Sequence, residues 1–295
     1  MGEGIGFEQP EIVENKGVVD ELEHVLEGTP PGESYLPDRE LQISILRELP
    51  DNLVEELHGH LIAMEKKQQQ VAKGGGEARV VDESSEVRGE LFERLAALQY
   101  GKPGAEVQDP RLAEGLSQEL VNLMHDPERF SLSKQLGHIR NPDLAFFRIN
   151  DQGKIEIEAA GEAKLGFLNY RSSVQIGRGF REGTQKMVRM VNRLDKPEEF
   201  GLSAVAQSRV RGGYLEVAGD LKVKIIVPAN RNLENKASLV NRNDFPQEED
   251  YTRFLELLQD ESRIEVLKSA FSRQEVATMA YYLLGKIRER YTARL

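Results

Sequence analysis

The chain of 295 residues is 39% hydrophobic, 30% charged and 6% aromatic, an ordinary composition for a soluble protein of one large domain or two small ones. It has no cysteine, which excludes disulfides, Cys-ligated zinc, iron–sulfur clusters and thiol nucleophiles. No run approaches the ~18 apolar residues of a membrane span, and Met1–Pro10 lacks the basic and apolar regions of a secretory leader, so a cytoplasmic protein is expected. The net charge of -11 is unevenly placed: residues 1–86 hold 20 acidic and 7 basic residues, against 30 and 32 in the remainder. The part after residue 86 is therefore nearly neutral and can meet a polyanion on a local patch.

In chain order, Val18, Leu22, Val25 and Leu26 fall at helical spacing within an acidic, Gly/Pro-punctuated start. Leu53, Leu57, Leu61 and Met64 form a stripe after Pro50-Asp51, which predicts a helix over 51–70. Lys73-Gly74-Gly75-Gly76 ends that pattern, and residues 73–86 read as a linker that separates an N-terminal segment, 1–72, from the rest. The stripe is accordingly expected to meet a partner or a second copy. Val87, Leu91, Leu95 and Leu98 predict the next helix, with Gly101 as its stop. A further helix is expected over 108–126.

The period then changes. Residues 141–150, NPDLAFFRIN, read as a strand, Asp151-Gln152-Gly153 as a turn, and Lys154–Leu165 alternates like a returning strand. Gly161 is expected to mark a bulge. Residues 171–183 begin as a glycine-rich loop, Met187, Met190, Val191 and Leu194 mark a helix, and Leu221–Pro228 is a further strand. The C-terminal part, 233–295, is expected to be a helical extension packed on a core of 87–232, with helices near 250–260 and 272–290.

The hairpin carries the chemistry. Pro142-Asp143 opens its first strand and Glu162-Ala163-Lys164 lies near the end of its second. Strand alternation sends Glu162 and Lys164 to one side, and the return of the chain brings them beside Asp143. Two carboxylates and an ammonium at a sheet end suit metal-assisted phosphodiester hydrolysis, because Mg²⁺ takes oxygen ligands, keeps several waters and needs only one or two carboxylates.

Pro142-Asp143 followed after eighteen residues by Glu162-Ala163-Lys164 resembles the signature of the PD-(D/E)xK nuclease superfamily. The order of helix, motif-bearing hairpin, helix and strand over 87–232 is similar too. The resemblance implies an α/β, restriction-endonuclease-like core, a mixed sheet flanked by helices, with helical additions at both ends. It implies a Mg²⁺- (or Mn²⁺-) dependent endonuclease acting on nucleic acid, DNA in preference to RNA. Asp143, Glu162 and the Ala163 carbonyl would hold the metal and Lys164 would activate or orient the attacking water. Glu90, in Gly89-Glu90-Leu91-Phe92, matches the acidic residue that many members carry on their first helix, with Glu93 as second choice. Gln175 and Gln185 are loose matches to a glutamine of the second helix.

Arg178, Arg181, Lys186, Arg189 and Arg193 form a basic stripe suited to phosphates, with Tyr170 and Phe180 nearby for stacking. A non-catalytic nucleic-acid-binding or assembly module on the same fold is the alternative, and metal dependence separates the two. Pro50-Asp51…Glu65-Lys66-Lys67 fits the string as well, but it falls on helical periodicity with no hairpin. His58 and His60 face different sides of a helix and do not form a metal pair.

Overall fold

The computed structural model describes residues 16–30, 35–77, 79–100, 143–149, 155–176, 181, 184–185 and 215–292. Four helices precede the sheet: α1 (Lys16–Glu27), α2 (Arg39–Leu46), α3 (Leu53–Lys73) and α4 (Glu83–Tyr100). Asp38 starts α2 by accepting the Leu41 N–H at 3.0 Å, which satisfies one of the amides a helix leaves unpaired at its start. Strands β1 (Leu144–Ile149) and β2 (Ile155–Ala163) form the hairpin, and a short helix α5 (Tyr170–Val174) follows. Then come β3 (Leu215–Val227), α6 (Glu248–Gln259), β4 (Ile264–Lys268) and α7 (Arg273–Thr292).

The sheet is mixed, in the order β1-β2-β3-β4. β1 runs antiparallel to β2, whereas β2, β3 and β4 are mutually parallel. The C-terminal ends of β2, β3 and β4 and the start of β1 therefore share one edge of the sheet, where ligands of open α/β sheets bind.

Helices cover both faces, so the molecule is a mixed α/β protein built in layers. On one face Leu144, Phe146, Ala159, Ala163 and Ile226 join a core with α1–α4 and α7. On the other, Ala160, Val223, Ile225 and Val227 pack with Leu168, Ile176, Phe254 and Leu258. Burial on both sides explains the apolar run Ile225–Val227 at the end of β3, with Ile225 and Ile226 both fully buried.

Several expectations are revised. Most of the 51–70 stripe is not available to a partner, because Leu53, Leu57 and Leu61 are buried within the chain's own core, where α3 meets α4 and α7, and Met64 is half-buried. The linker shrinks to residues 74–82, since α3 runs to Lys73 and α4 already begins at Glu83. The C-terminal part is not wholly helical, because β4 completes the sheet. Its five residues, IEVLK, are too short to show a period. The loop expected from 171 begins instead with α5, which Asn169 caps by accepting the Ser172 N–H at 3.0 Å. Gly161 is no bulge. The register slips at Glu158, between Ile157 and Ala159. Gly161 permits a close approach instead: a Cβ there would lie 2.8 Å from Leu144 Cβ and 2.9 Å from Phe146 Cε2. The helix expected over 108–126, the Gly101 stop, and Lys186–Leu194 lie outside the described residues.

Candidate active site

The hairpin register sets the site. Leu144 pairs with Gly161, so Asp143 stands opposite Glu162 one step beyond. The Ala163 N–H donates to Asp143 Oδ2 at 2.9 Å. The Lys164 ammonium contacts Glu162 Oε1, and the Lys164 N–H donates to Ile226 O at 2.8 Å. That last bond ties the motif to β3. Glu162 is nearly inaccessible, with 4% of its side chain exposed against 23% for Lys164. The trio of Asp143, Glu162 and Lys164 is therefore brought together where the C-terminal end of β2 meets the start of β1.

A third carboxylate acts on this group, and it is Glu93. Burial first, then the charges of Glu162 and Glu93, push the Asp143 carboxyl well above the usual carboxylate range. The Lys164 ammonium and the Ala163 N–H offset this only in part. For Lys164, burial pulls the pKa down, but Glu162, Asp143 and Glu93 outweigh it and hold the ammonium above its ordinary value. Lys164 is thus a cation throughout the neutral range.

Glu90 points elsewhere. Its carboxylate pairs with Arg94 at 2.8 Å and lies 3.4 Å from His60 Nδ1, on the side facing α3. The helix explains the exchange of roles. Val87, Leu91 and Leu95 are buried, but so are Phe92, Ala96 and Tyr100. α4 has two buried stripes because it packs on α2, α3 and α7 and also reaches β2. Glu90 flanks the first stripe and Glu93 the second. The i, i+4, i+8 spacing of Phe92, Ala96 and Tyr100 is the signal in the sequence that points to Glu93.

The remaining candidates lie apart. The Arg181 guanidinium donates to Gly219 O, within the stretch of β3 opposite the Glu158 bulge. That is four residues back from Glu162 along β2, about 13 Å at the rise of a strand. Arg178, Lys186, Arg189, Arg193 and Phe180 fall outside the described residues. Gln175 and Gln185 are half-buried, and among the described residues neither is hydrogen-bonded to the trio. Tyr170 is partly exposed and packs edge-on against Phe245. His58 stacks on Tyr291 at 3.7 Å between centroids.

Among the described residues no group of three or more His, Asp or Glu side chains is gathered closely enough to hold a metal by protein ligands alone. That excludes a closed cage of the zinc type there but not a hydrated hard cation, which needs one or two carboxylates. Asp143 and Glu162 supply oxygen donors of that kind, and the repulsion of Asp143 by Glu162 and Glu93 in a mostly buried setting is one that a divalent cation would relieve. A shallow groove of about 360 Å³ between α1 and α7, lined by Val25, Tyr281, Tyr282 and Lys286, belongs to a different part of the molecule. Comparison of the chain with protein-family models, with curated proteins and with solved structures finds no match.

Proposed function

We propose that this protein is a metal-dependent phosphodiesterase acting on nucleic acid, DNA in preference to RNA, with a restriction-endonuclease-like core. The observation that carries the reading is the meeting of Asp143, Glu162 and Lys164 at the carboxyl edge of the sheet, with the Ala163 N–H fixing Asp143. Residues nineteen or more positions apart converge in the order that the PD…EAK string implies.

Asp143 and Glu162 would hold a Mg²⁺ or Mn²⁺ ion, with the Ala163 carbonyl as the further ligand implied by the resemblance. Such a cation, when bound, supplies Lewis-acid polarisation of a phosphoryl oxygen and a lowered pKa for a coordinated water. The chain's own contribution is positioning and charge. Lys164, already protonated, orients the nucleophilic water and stabilises negative charge at the scissile phosphate, rather than serving as a free base. The Ala163 N–H holds Asp143 in one rotamer. The charge of Glu93 acts on both Asp143 and Lys164. Tuned groups of this kind concentrate at functional sites.

A second reading has one observation in its favour: the Lys164 ammonium pairs directly with the Glu162 carboxylate. On that reading the domain binds nucleic acid or assembles without cutting. Calorimetric titration with Mn²⁺ separates the two. Binding that is lost in Asp143→Ala and Glu162→Ala supports the enzyme, whereas a folded protein that takes up no ion at millimolar concentration supports the module.

A further inference from the structure

Two arginines and a phenylalanine stand on the same sheet edge as the trio but take no part in it. Phe167 lies three residues beyond Lys164 and is 46% exposed. Arg231 follows β3 and places its guanidinium over the Phe167 ring, 4.4 Å from the centroid. Arg273 follows β4 as the first residue of α7 and is exposed. The loops that carry the arginines are tied together: the Ala229 N–H donates to Phe271 O at 2.9 Å and the Arg273 N–H to Asn230 Oδ1 at 3.2 Å. Register fixes their common level, since Ala163 pairs with Ile226 and Val227 with Lys268.

We propose that Arg231 and Arg273 form a phosphate-binding subsite that holds the nucleic-acid backbone beside the scissile bond, with Phe167 as its floor. The inference rests on the nuclease reading for its substrate class. Among the described residues neither guanidinium meets a carboxylate, and Arg231 Nη2 is buried with no hydrogen-bond partner. The charge of Arg273 reaches Arg231, whereas Arg39, Arg94 and Arg288 on the helical side of the molecule are paired with Glu275, Glu90 and Glu83. Burial, then the charge of Arg273, lowers the pKa of Arg231, and a bound anion would reverse the second effect. Strands lie about 4.8 Å apart, so the ends of β3 and β4 sit roughly 5 and 10 Å from the end of β2. That is the range of the phosphates next to the cleaved one. Guanidinium forks match phosphate geometry bidentately.

The test is the salt dependence of binding of a fluorescent single-stranded DNA and of its duplex to the full chain, in EDTA, between about 50 and 200 mM salt. Arg231→Gln, Arg273→Gln and the double variant are compared with Arg253→Gln, which removes an exposed charge from α6. The double variant is expected to weaken binding about tenfold or more and to lower the slope of log Kd against log salt by about 1.5–2, for two lost phosphate contacts. Arg253→Gln changes neither. A double variant that behaves like Arg253→Gln, or a wild type that binds neither probe, overturns the subsite. Arg273→Gln alone, at an exposed position, guards against loss of folding at Arg231. The two claims fail separately. Arginine-dependent binding without metal-dependent cleavage overturns the nuclease reading and keeps the subsite. Cleavage indifferent to both arginines does the reverse.

Discussion

Asp143 is the residue on which stability and chemistry conflict. Its carboxyl is raised by burial and by Glu162 and Glu93, so the folded state holds its proton more tightly than the unfolded chain does. Its contribution to stability is then complete below the ordinary carboxylate range and is lost as pH rises through the elevated value. Ionising the carboxyl in the folded state therefore costs stability, about 1.4 kcal/mol for each tenfold gain in proton affinity on folding. Asp143→Asn is therefore expected to raise the melting temperature of the metal-free protein at pH 7, by ~2–4 °C per kcal/mol recovered, while abolishing metal-dependent cleavage; thermal melts at pH 4 and pH 7 check the sign, because the gain should vanish at the lower pH. Glu93 and Glu90 make a matched pair of tests. Glu93→Gln should raise the metal concentration needed for half-maximal activity by ~10–100-fold, the range for residues that support metal ligands. Glu90→Gln should leave it unchanged and act on the α3–α4 contacts instead. Asp143, Glu162 and Lys164 are legible in the sequence because strand alternation is strictly two-residue and the turn at Asp151-Gln152-Gly153 is plain. Glu93 ranks only second to Glu90 there, because the leucine stripe of α4 masks the second stripe that the helix buries.

At the scale of elements, the hairpin and α4 together hold the site. Gly161 lets β1 approach β2 closely, with Leu144 and Phe146 at the positions a Cβ would need. Gly161→Ala is expected to cost ~1–3 kcal/mol through overpacking. It should also displace Leu144 and, with it, Asp143, so that cleavage by the folded fraction falls as well; denaturant titration and activity measured on the same sample separate the two effects. α4 is pinned at its end, where the Ala270 N–H donates to Gln99 Oε1 at 2.7 Å and the Tyr100 hydroxyl donates to Lys268 O. Those bonds fasten the helix carrying Glu93 to the loop after β4. Sequence periodicity finds both hairpin strands and the terminal helices to within a few residues. It misses β4, which is too short for a period to emerge, and it misplaces the bulge, because glycine at 161 serves close packing while the extra residue is Glu158.

Across the whole molecule, the acidic N-terminal segment is part of the fold rather than an appendage. Leu22, Leu26, Ile45, Leu46 and Leu57 are buried in one core with Phe92, Phe271 and Leu283. A buried polar network joins the same parts: Glu275, fully buried, accepts from Arg39 Nη1 at 2.8 Å, from Gln42 Nε2 at 3.1 Å and from the Ser272 N–H at 2.8 Å. Nearby, burial and the charge of Glu275 push the Tyr35 hydroxyl up to about 12. Arg39→Ala strands the Glu275 carboxylate and is expected to destabilise by ~3–5 kcal/mol, read as a lower denaturant midpoint. Removing residues 1–72 should leave an aggregating core instead of an independent domain. The charge imbalance along the sequence suggests a separable arm. The apolar residues interleaved with those acids decide otherwise, because charge reports on solvation and not on which faces pack. The central claim is that the edge holding Asp143, Glu162 and Lys164 cuts phosphodiester bonds. Its most direct test is a cleavage assay of the full chain on plasmid, linear duplex, single-stranded DNA and RNA, with Mg²⁺ or Mn²⁺ against EDTA, beside a folded Lys164→Ala variant. Metal-dependent cutting that falls by about a hundredfold or more in the variant is the predicted result. Cutting at the wild-type rate by Lys164→Ala, or cutting undiminished by EDTA, would contradict the claim.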